Sequence, residues 1–123
     1  IRRNQLSDFT NIRQNGKIAM KLNEKDELVS VIPCGEKDNI LLATRLGKAI
    51  RFDVHDVRVF VGRGSSGVRG IRLKSNDFVV SMSLIPNEEK RFVLSVTENG
   101  FGKRTPVEDY RMTNRGGQGV ANI

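Results

Sequence analysis

Apolar and polar residues along this chain alternate in short runs, and no window sustains a helical interval between its apolar positions. Met20 and Leu22 bracket Lys21, and Ile71 and Leu73 bracket Arg72. A two-residue interval puts each apolar pair on one face of an extended chain and the cation on the other. The pattern predicts short strands at Ile18–Leu22, Leu28–Ile32, Ile40–Thr44, Ala49–Phe52, Phe78–Ile85, Phe92–Thr97 and Gly102–Thr105. β-Branched residues recur in them, and Pro33 and Pro86 close two of them. Turn signals separate them: Asn15-Gly16, Leu46-Gly47 and Asn99-Gly100, with the polar stretches Asn23–Glu27 and Lys74–Asp77. Charged connections follow at Gly35–Asn39 and Asn87–Arg91. The fold class is all-β, with about four antiparallel strands to a unit.

The units repeat. Gly67-Val68-Arg69-Gly70-Ile71-Arg72-Leu73 has an upstream version, Gly16–Leu22, and a downstream one, Gly119–Ile123. A second motif precedes each copy: Arg, two residues, an aliphatic, any residue, Asp, then an apolar or aromatic residue. It occurs as Arg3–Phe9, Arg51–Val57 and Arg104–Tyr110. A spacing of about fifty residues is that of a propeller or a related repeat architecture. The approximate repeat boundaries are 1–38, 39–90 and 91–123, all within one domain. The chain begins and ends inside a repeat, as a fragment of a longer array would.

The 123 residues carry a net charge of +7, which points to a polyanionic partner. The charge is segregated. Residues 1–22, 43–74 and 99–123 carry +4, +6 and +2, whereas 23–42 and 75–98 carry −3 and −2. The positive excess therefore falls on the segments that bear the two motifs, and stacked repeats would gather it into a stripe. A lone cysteine, Cys34, excludes an internal disulfide and fits a reducing compartment. With one Cys and one His, no zinc set can be filled. No apolar run approaches the ~20 residues of a membrane helix, so a soluble cytoplasmic protein with no membrane partner is expected.

Catalytic readings are weak. Gly62-Arg63-Gly64-Ser65-Ser66-Gly67 lacks the Gly-Lys-Ser/Thr ending of a phosphate loop, and no helix follows it. It reads as a surface loop in which Arg63 can meet a phosphate. Asp8, Asp56 and Asp109 are equivalent by repeat. That suits turn capping, or pairing with Arg3, Arg51 or Arg104, better than an acid–base pair in one pocket. Tyr110, the only tyrosine, stands where Phe9 and Val57 stand and reads as a buried apolar residue. His55 reads as a surface residue, and no base can be assigned to Cys34. No catalytic residue, metal or cofactor is expected in this segment.

The basic residues in and beside the motifs carry the functional expectation: Arg13, Lys17, Lys48, Arg51, Arg63, Arg69, Arg72, Lys103, Arg104 and Arg115. As a set they suit the phosphate backbone of duplex DNA. Only seven aromatics are present, and none interleaves with the cations as a single-strand stacking platform requires.

These residues, with Asn99-Gly100-Phe101-Gly102-Lys103-Arg104-Thr105 and the three repeats, resemble the C-terminal domain of bacterial DNA gyrase A over essentially the whole chain. The resemblance implies a β-pinwheel, a six-bladed disc whose blades exchange a strand, of which this chain supplies about two and a half. It implies non-specific wrapping of duplex DNA on a basic rim, in support of ATP-dependent negative supercoiling. It further implies a gyrase A homodimer joined by gyrase B, with ATP and magnesium used through other regions, in the bacterial cytoplasm at the nucleoid. Thr113–Gly119 matches the family's box heptapeptide, Gln-Arg-Arg-Gly-Gly-Lys-Gly, at four of seven positions, but lies in a later repeat than the box does. The related topoisomerase IV domain is the alternative within the family. A propeller-type protein-interaction scaffold is the alternative outside it, and it fits the charge segregation less well.

Overall fold

The computed structural model describes residues 1–86 and 90–123, so the expected connection Asn87–Arg91 lies partly outside the described residues. Five strands fall within two residues of their expected places: β1 (Asp38–Thr44), β2 (Lys48–Asp53), β3 (Val79–Pro86), β4 (Phe92–Val96) and β5 (Gly102–Pro106). A sixth, β6, is the short segment Val120–Ala121. β1 and β2 form an antiparallel hairpin. Its turn closes at Gly47, whose N–H donates to the Thr44 carbonyl at 3.1 Å with φ at 83°. β4 and β5 repeat that hairpin as a separate two-stranded sheet, turning at Gly100 with φ at 87°.

The larger sheet has the order β3-β1-β2-β6, and its outermost strand belongs to the next repeat. Lys48 and Ala49 pair with Ala121 and Val120. The same exchange occurs one repeat earlier, where the Ile1 amino group and the Val68 N–H each donate to the other's carbonyl at 2.8 Å. A repeat thus completes its own unit only when its successor crosses over.

That crossing explains why the motif begins with glycine. Gly67 and Gly119 have φ of 98° and 75°, in the left-handed region. A Cβ at Gly67 would stand 2.3 Å from the Ile1 carbonyl oxygen, and one at Gly119 2.3 Å from that of Ala49. No L-residue with a side chain fits either place.

Both faces of the four-stranded sheet are covered. Ile40, Leu42, Ile50 and Phe52 pack on Val54, Val57 and Ile71, with Ile1 and Val68 from the preceding side. Leu41, Ala49 and Ile85 on the other face pack on Val107 and Tyr110 of the following repeat, with Val93 and Val120. Hence β1 is nearly continuously apolar rather than alternating. The Arg-motif segments form corners, each a short 3-10 turn: Leu6–Phe9, Val54–Asp56 and Val107–Asp109.

Two expected strands are absent. Ile18–Leu22 and Leu28–Ile32 carry no ladder, and most of their residues are exposed. β3 is held in its sheet by β1, whereas neither of these two segments has a ladder partner among the described residues. A strand is a pairing as much as a sequence pattern, and apolar alternation alone does not supply the partner. Similarly, Ile71 is buried but Leu73 is 42% exposed, so the second glycine motif buries one residue of its expected apolar pair.

Replacing Gly119 by Ala should force β6 off β2 through the forbidden φ and the collision with Ala49. A loss of stability of about 1–3 kcal/mol or more is expected, read as a lowered thermal midpoint. Gly16→Ala is the control. Gly16 shares the positive φ, at 79°, but meets nothing within 4 Å, so only the strain should register.

Candidate nucleic-acid interface

The cations collect at the joints between repeats. At the joint of the second and third, a cleft of about 300 Å³ is lined by Thr44, Lys48, Arg72, Leu73, Lys74, Asp77 and Gln118. Lys48 opens β2 beside β6, and the Arg72 N–H donates to the Gly117 carbonyl at 2.8 Å, so the strand exchange itself brings these cations together. Three cations face one carboxylate here. Burial pushes the Asp77 carboxyl up. Hydrogen bonds from the Leu46 N–H, the Thr44 hydroxyl and the Phe78 N–H, with the charge of Arg45, outweigh that effect and leave it below its ordinary value. Asp77 is thus an anion engaged by its own turn, and the cleft keeps a positive excess.

At the joint of the first and second repeats lies a wider groove of about 820 Å³, lined by Asn11, Arg13, Asn15, Gly16, Lys17, Ile18 and Arg63. Lys17 Nζ donates to the Thr10 carbonyl at 3.0 Å, and Arg13 is exposed. The structure therefore places five of the ten expected residues in two cation-lined depressions: Lys48 and Arg72 in one, Arg13, Lys17 and Arg63 in the other. Lys74 joins the first set from outside those ten. Its position directly after the Gly67–Leu73 motif is the one signal of it in the sequence.

Three of the arginines are occupied with the backbone. Arg51 Nη1 donates to the carbonyls of Val107 and Tyr110 at 3.2 and 3.1 Å. Arg115 donates from Nε to Asp56 at 2.9 Å and from Nη1 to Arg69 at 2.7 Å. Arg63 Nη1 donates to the Ile18 carbonyl, the bond equivalent by repeat to that between Arg115 and Arg69. All three are half-buried. Their charge still contributes to the field at the joint, but part of their donor capacity holds consecutive repeats together. Arg69 is exposed. Lys103 and Arg104 stand exposed on β5, away from both depressions.

The Gly62–Gly67 loop is no phosphate cradle. Arg2 donates to the Ser65 and Gly62 carbonyls, and Asn4 Nδ2 to Gly62 at 2.7 Å, so the loop carbonyls are held from the first repeat. Among the described residues, Asp8, Asp56 and Asp109 form no ion pair with Arg3, Arg51 or Arg104. The pairing alternative fails because Arg3 and Arg51 turn their guanidinium groups toward the corner of the next repeat, not their own. Asp8 instead accepts from Asn4 Nδ2 at 2.9 Å. The corner cap in the second repeat is Asp53, which accepts the His55 N–H at 2.8 Å.

Tyr110 is buried as its repeat position implies, but it is not simply apolar. Its hydroxyl donates to Asn122 Oδ1, which also accepts from Ser95 Oγ at 3.1 Å, tying β4 to the segment after β6. His55 is exposed as expected, yet it is flanked. Nε2 lies 2.8 Å from Glu36 and Nδ1 3.0 Å from Asp53. The bond to Glu36, then that to Asp53, raises its pKa above the ordinary histidine value.

A raised folded-state pKa means that the His55 contribution to stability is fully present below about pH 6.5 and fades as pH rises through the folded value. An NMR titration of the single histidine should show a midpoint above about 6.5, and Glu36→Gln should return most of the shift.

The sequence and the fold match known proteins. The family model for the DNA gyrase C-terminal domain, beta-propeller, matches residues 1–35, 38–86 and 91–123. The DNA gyrase A protein of Rickettsia bellii is 40% identical, covering 100% of this chain and 19% of the relative. Its counterpart in Staphylococcus epidermidis is 44% identical, covering 98% of this chain and 13% of the relative. This chain thus spans less than a fifth of the length of these relatives. Among solved structures, the C-terminal domain of DNA topoisomerase IV superposes with a TM-score of 0.84 at 27% identity, over 94% of this chain and 36% of that one. A DNA gyrase A C-terminal domain superposes with a TM-score of 0.73 at 33% identity, over 87% and 36%. With a family model covering nearly its whole length, the chain belongs to the DNA gyrase C-terminal domain, beta-propeller family.

Proposed function

We propose that this segment binds the phosphate backbone of duplex DNA without sequence selectivity, as part of a gyrase A protein that wraps DNA for negative supercoiling. The observation that carries the proposal is that a cation-lined depression lies beside each of two successive joints, at different positions of the repeat: Arg13, Lys17 and Arg63 at one and Lys48, Arg72 and Lys74 at the other. Positive charge spread along a stack of units suits a ligand that is itself a linear array of like charges. No recognition helix is present among the described residues to enter a major groove, which fits contacts that position rather than read the duplex. Curated relatives at 40% and 44% identity favour gyrase over topoisomerase IV, despite the close superposition with the latter.

In this reading the segment contributes binding alone. Strand cleavage, ATP hydrolysis and magnesium binding belong to other regions of a gyrase A homodimer and its gyrase B partners, at the bacterial nucleoid. Tyr110 serves packing, so Tyr110→Phe should leave DNA binding unchanged. It should remove one hydrogen bond, worth about 0.5–1.5 kcal/mol of stability.

The test is a titration of labelled duplexes of unrelated sequence with the intact protein across a salt series. Log affinity should fall linearly with log salt, with a slope of about −0.9 for each phosphate neutralised. Lys48→Gln with Arg72→Gln should flatten that slope by about the equivalent of two phosphates, equally for every sequence. Affinity indifferent to salt, or confined to one sequence, would remove the proposal.

A further inference from the structure

A carboxylate stands among the cations of the cleft at the second joint, and its bonds run to the backbone that carries them. Asp77 Oδ1 accepts the Leu46 N–H at 3.0 Å and the Phe78 N–H at 2.9 Å. The Thr44 hydroxyl also donates to the Asp77 carboxylate, and Thr44 Oγ1 in turn accepts the Lys48 N–H at 3.1 Å. A hydroxyl does both at once, because it has one proton to give and two lone pairs. Thr44 is 5% exposed, so this relay from Asp77 to the first residue of β2 is shielded from water.

Asp77 also closes the turn that begins at Lys74. Its N–H donates to the Lys74 carbonyl at 3.2 Å, with Asn76 at a left-handed φ of 65°. The Arg45 N–H donates to the Phe78 carbonyl at 2.9 Å and completes the seam between this turn and that of β1–β2. Lys48 stands on one side of the seam and Lys74 on the other.

A carboxylate in such a place can act in two ways, and they differ in sign. As a free counter-charge it would compete with a phosphate, and its removal would tighten DNA binding. Among the described residues, however, Asp77 forms no ion pair with Lys48, Arg72 or Lys74. Its acceptor capacity goes to N–H and O–H donors of the two turns instead.

We infer that Asp77 and the neutral Thr44 are positioning residues for the cleft, fastening two turns so that Lys48 and Lys74 meet one phosphate group. Taking negative charge out of this basic cleft therefore weakens its hold on DNA. The inference rests on the reading of the cleft as a phosphate contact, and a substitution that changes no charge separates the two.

The intact protein is titrated with a labelled duplex across a salt series, as parent, Thr44→Val, Thr44→Ser and Asp77→Ala, with the thermal transition of each. Thr44→Val breaks the relay at constant charge. It should lower affinity and flatten the log–log slope by about 0.9, the equivalent of one phosphate. Thr44→Ser keeps the hydroxyl and should restore the parent slope. Asp77→Ala should flatten the slope by about 0.9–1.8, although it is the more positively charged protein. In a background of Lys48→Gln with Lys74→Gln, Thr44→Val should cost no further affinity, because the cations it places are gone. Tighter binding by Asp77→Ala would make Asp77 a competing charge and overturn the inference. So would a Thr44→Val protein that melts lower yet keeps the parent slope, or one that loses equal affinity in both backgrounds. A parent whose affinity ignores salt overturns the proposed function and this inference together. A salt-dependent parent that Thr44→Val does not alter overturns this inference alone.

Discussion

A β-sheet edge exposes a row of backbone donors and acceptors that must be paired, and here the free edge of β2 is paired by the next repeat. That requirement organises the rest of the structure. It explains the left-handed glycines Gly67 and Gly119, since only a bare Cα can pass the carbonyl of Ile1 or Ala49. It also explains why both faces of the central sheet are apolar. One face meets the preceding repeat and the other the following one, so this sheet has no solvent side of its own. Stability in such a stack lies in the joints more than in the units.

The joints are also where the charge is. Gln118 reaches the cleft of Lys48, Arg72 and Lys74 because the crossing segment of the third repeat pairs with β2 and accepts from the Arg72 N–H. The guanidinium groups of Arg51, Arg63 and Arg115 are held at these seams by backbone carbonyls, which fixes cations along the line of joints at small conformational cost. Fastening repeats together and presenting positive charge are thus partly performed by the same residues. These arginines combine a structural bond with a positive charge, whereas Lys48 and Lys74 line the cleft with their charge.

Much of this is legible in the chain itself. Glycine turns between β-branched runs announce the β1–β2 and β4–β5 hairpins, and both carry the expected turns at Gly47 and Gly100. The repeat is legible because Arg51–Val57 and Gly67–Leu73 recur in order. The role of the motif arginine is not. A recurring cation looks the same in sequence whether it faces solvent or the carbonyl of a residue more than fifty positions away, as Arg51 faces Tyr110. Ile18–Leu22 and Leu28–Ile32 illustrate the complementary limit. Their pattern is that of strands, but a ladder needs a neighbour, and local alternation carries no information about whether one is present. Lys74 escapes a motif-based reading because it follows its motif rather than lying within it, although the fold turns it into the same cleft as Arg72.

Strand-exchanged joints that set consecutive cation-lined depressions along one path would hold a duplex bent. Energy transfer between dyes at the two ends of a duplex of a few tens of base pairs, bound to the intact protein, reads that path. Smooth bending of such a duplex by 40–90° costs roughly 1–6 kcal/mol, which contacts at a single joint do not offset. The parent should bring the ends together. A variant lacking Arg13 and Lys17 at one joint with Lys48 and Arg72 at the other should bind at low salt yet leave the duplex nearly straight. Undiminished end-to-end transfer in that variant would show that the DNA runs elsewhere, off the joints.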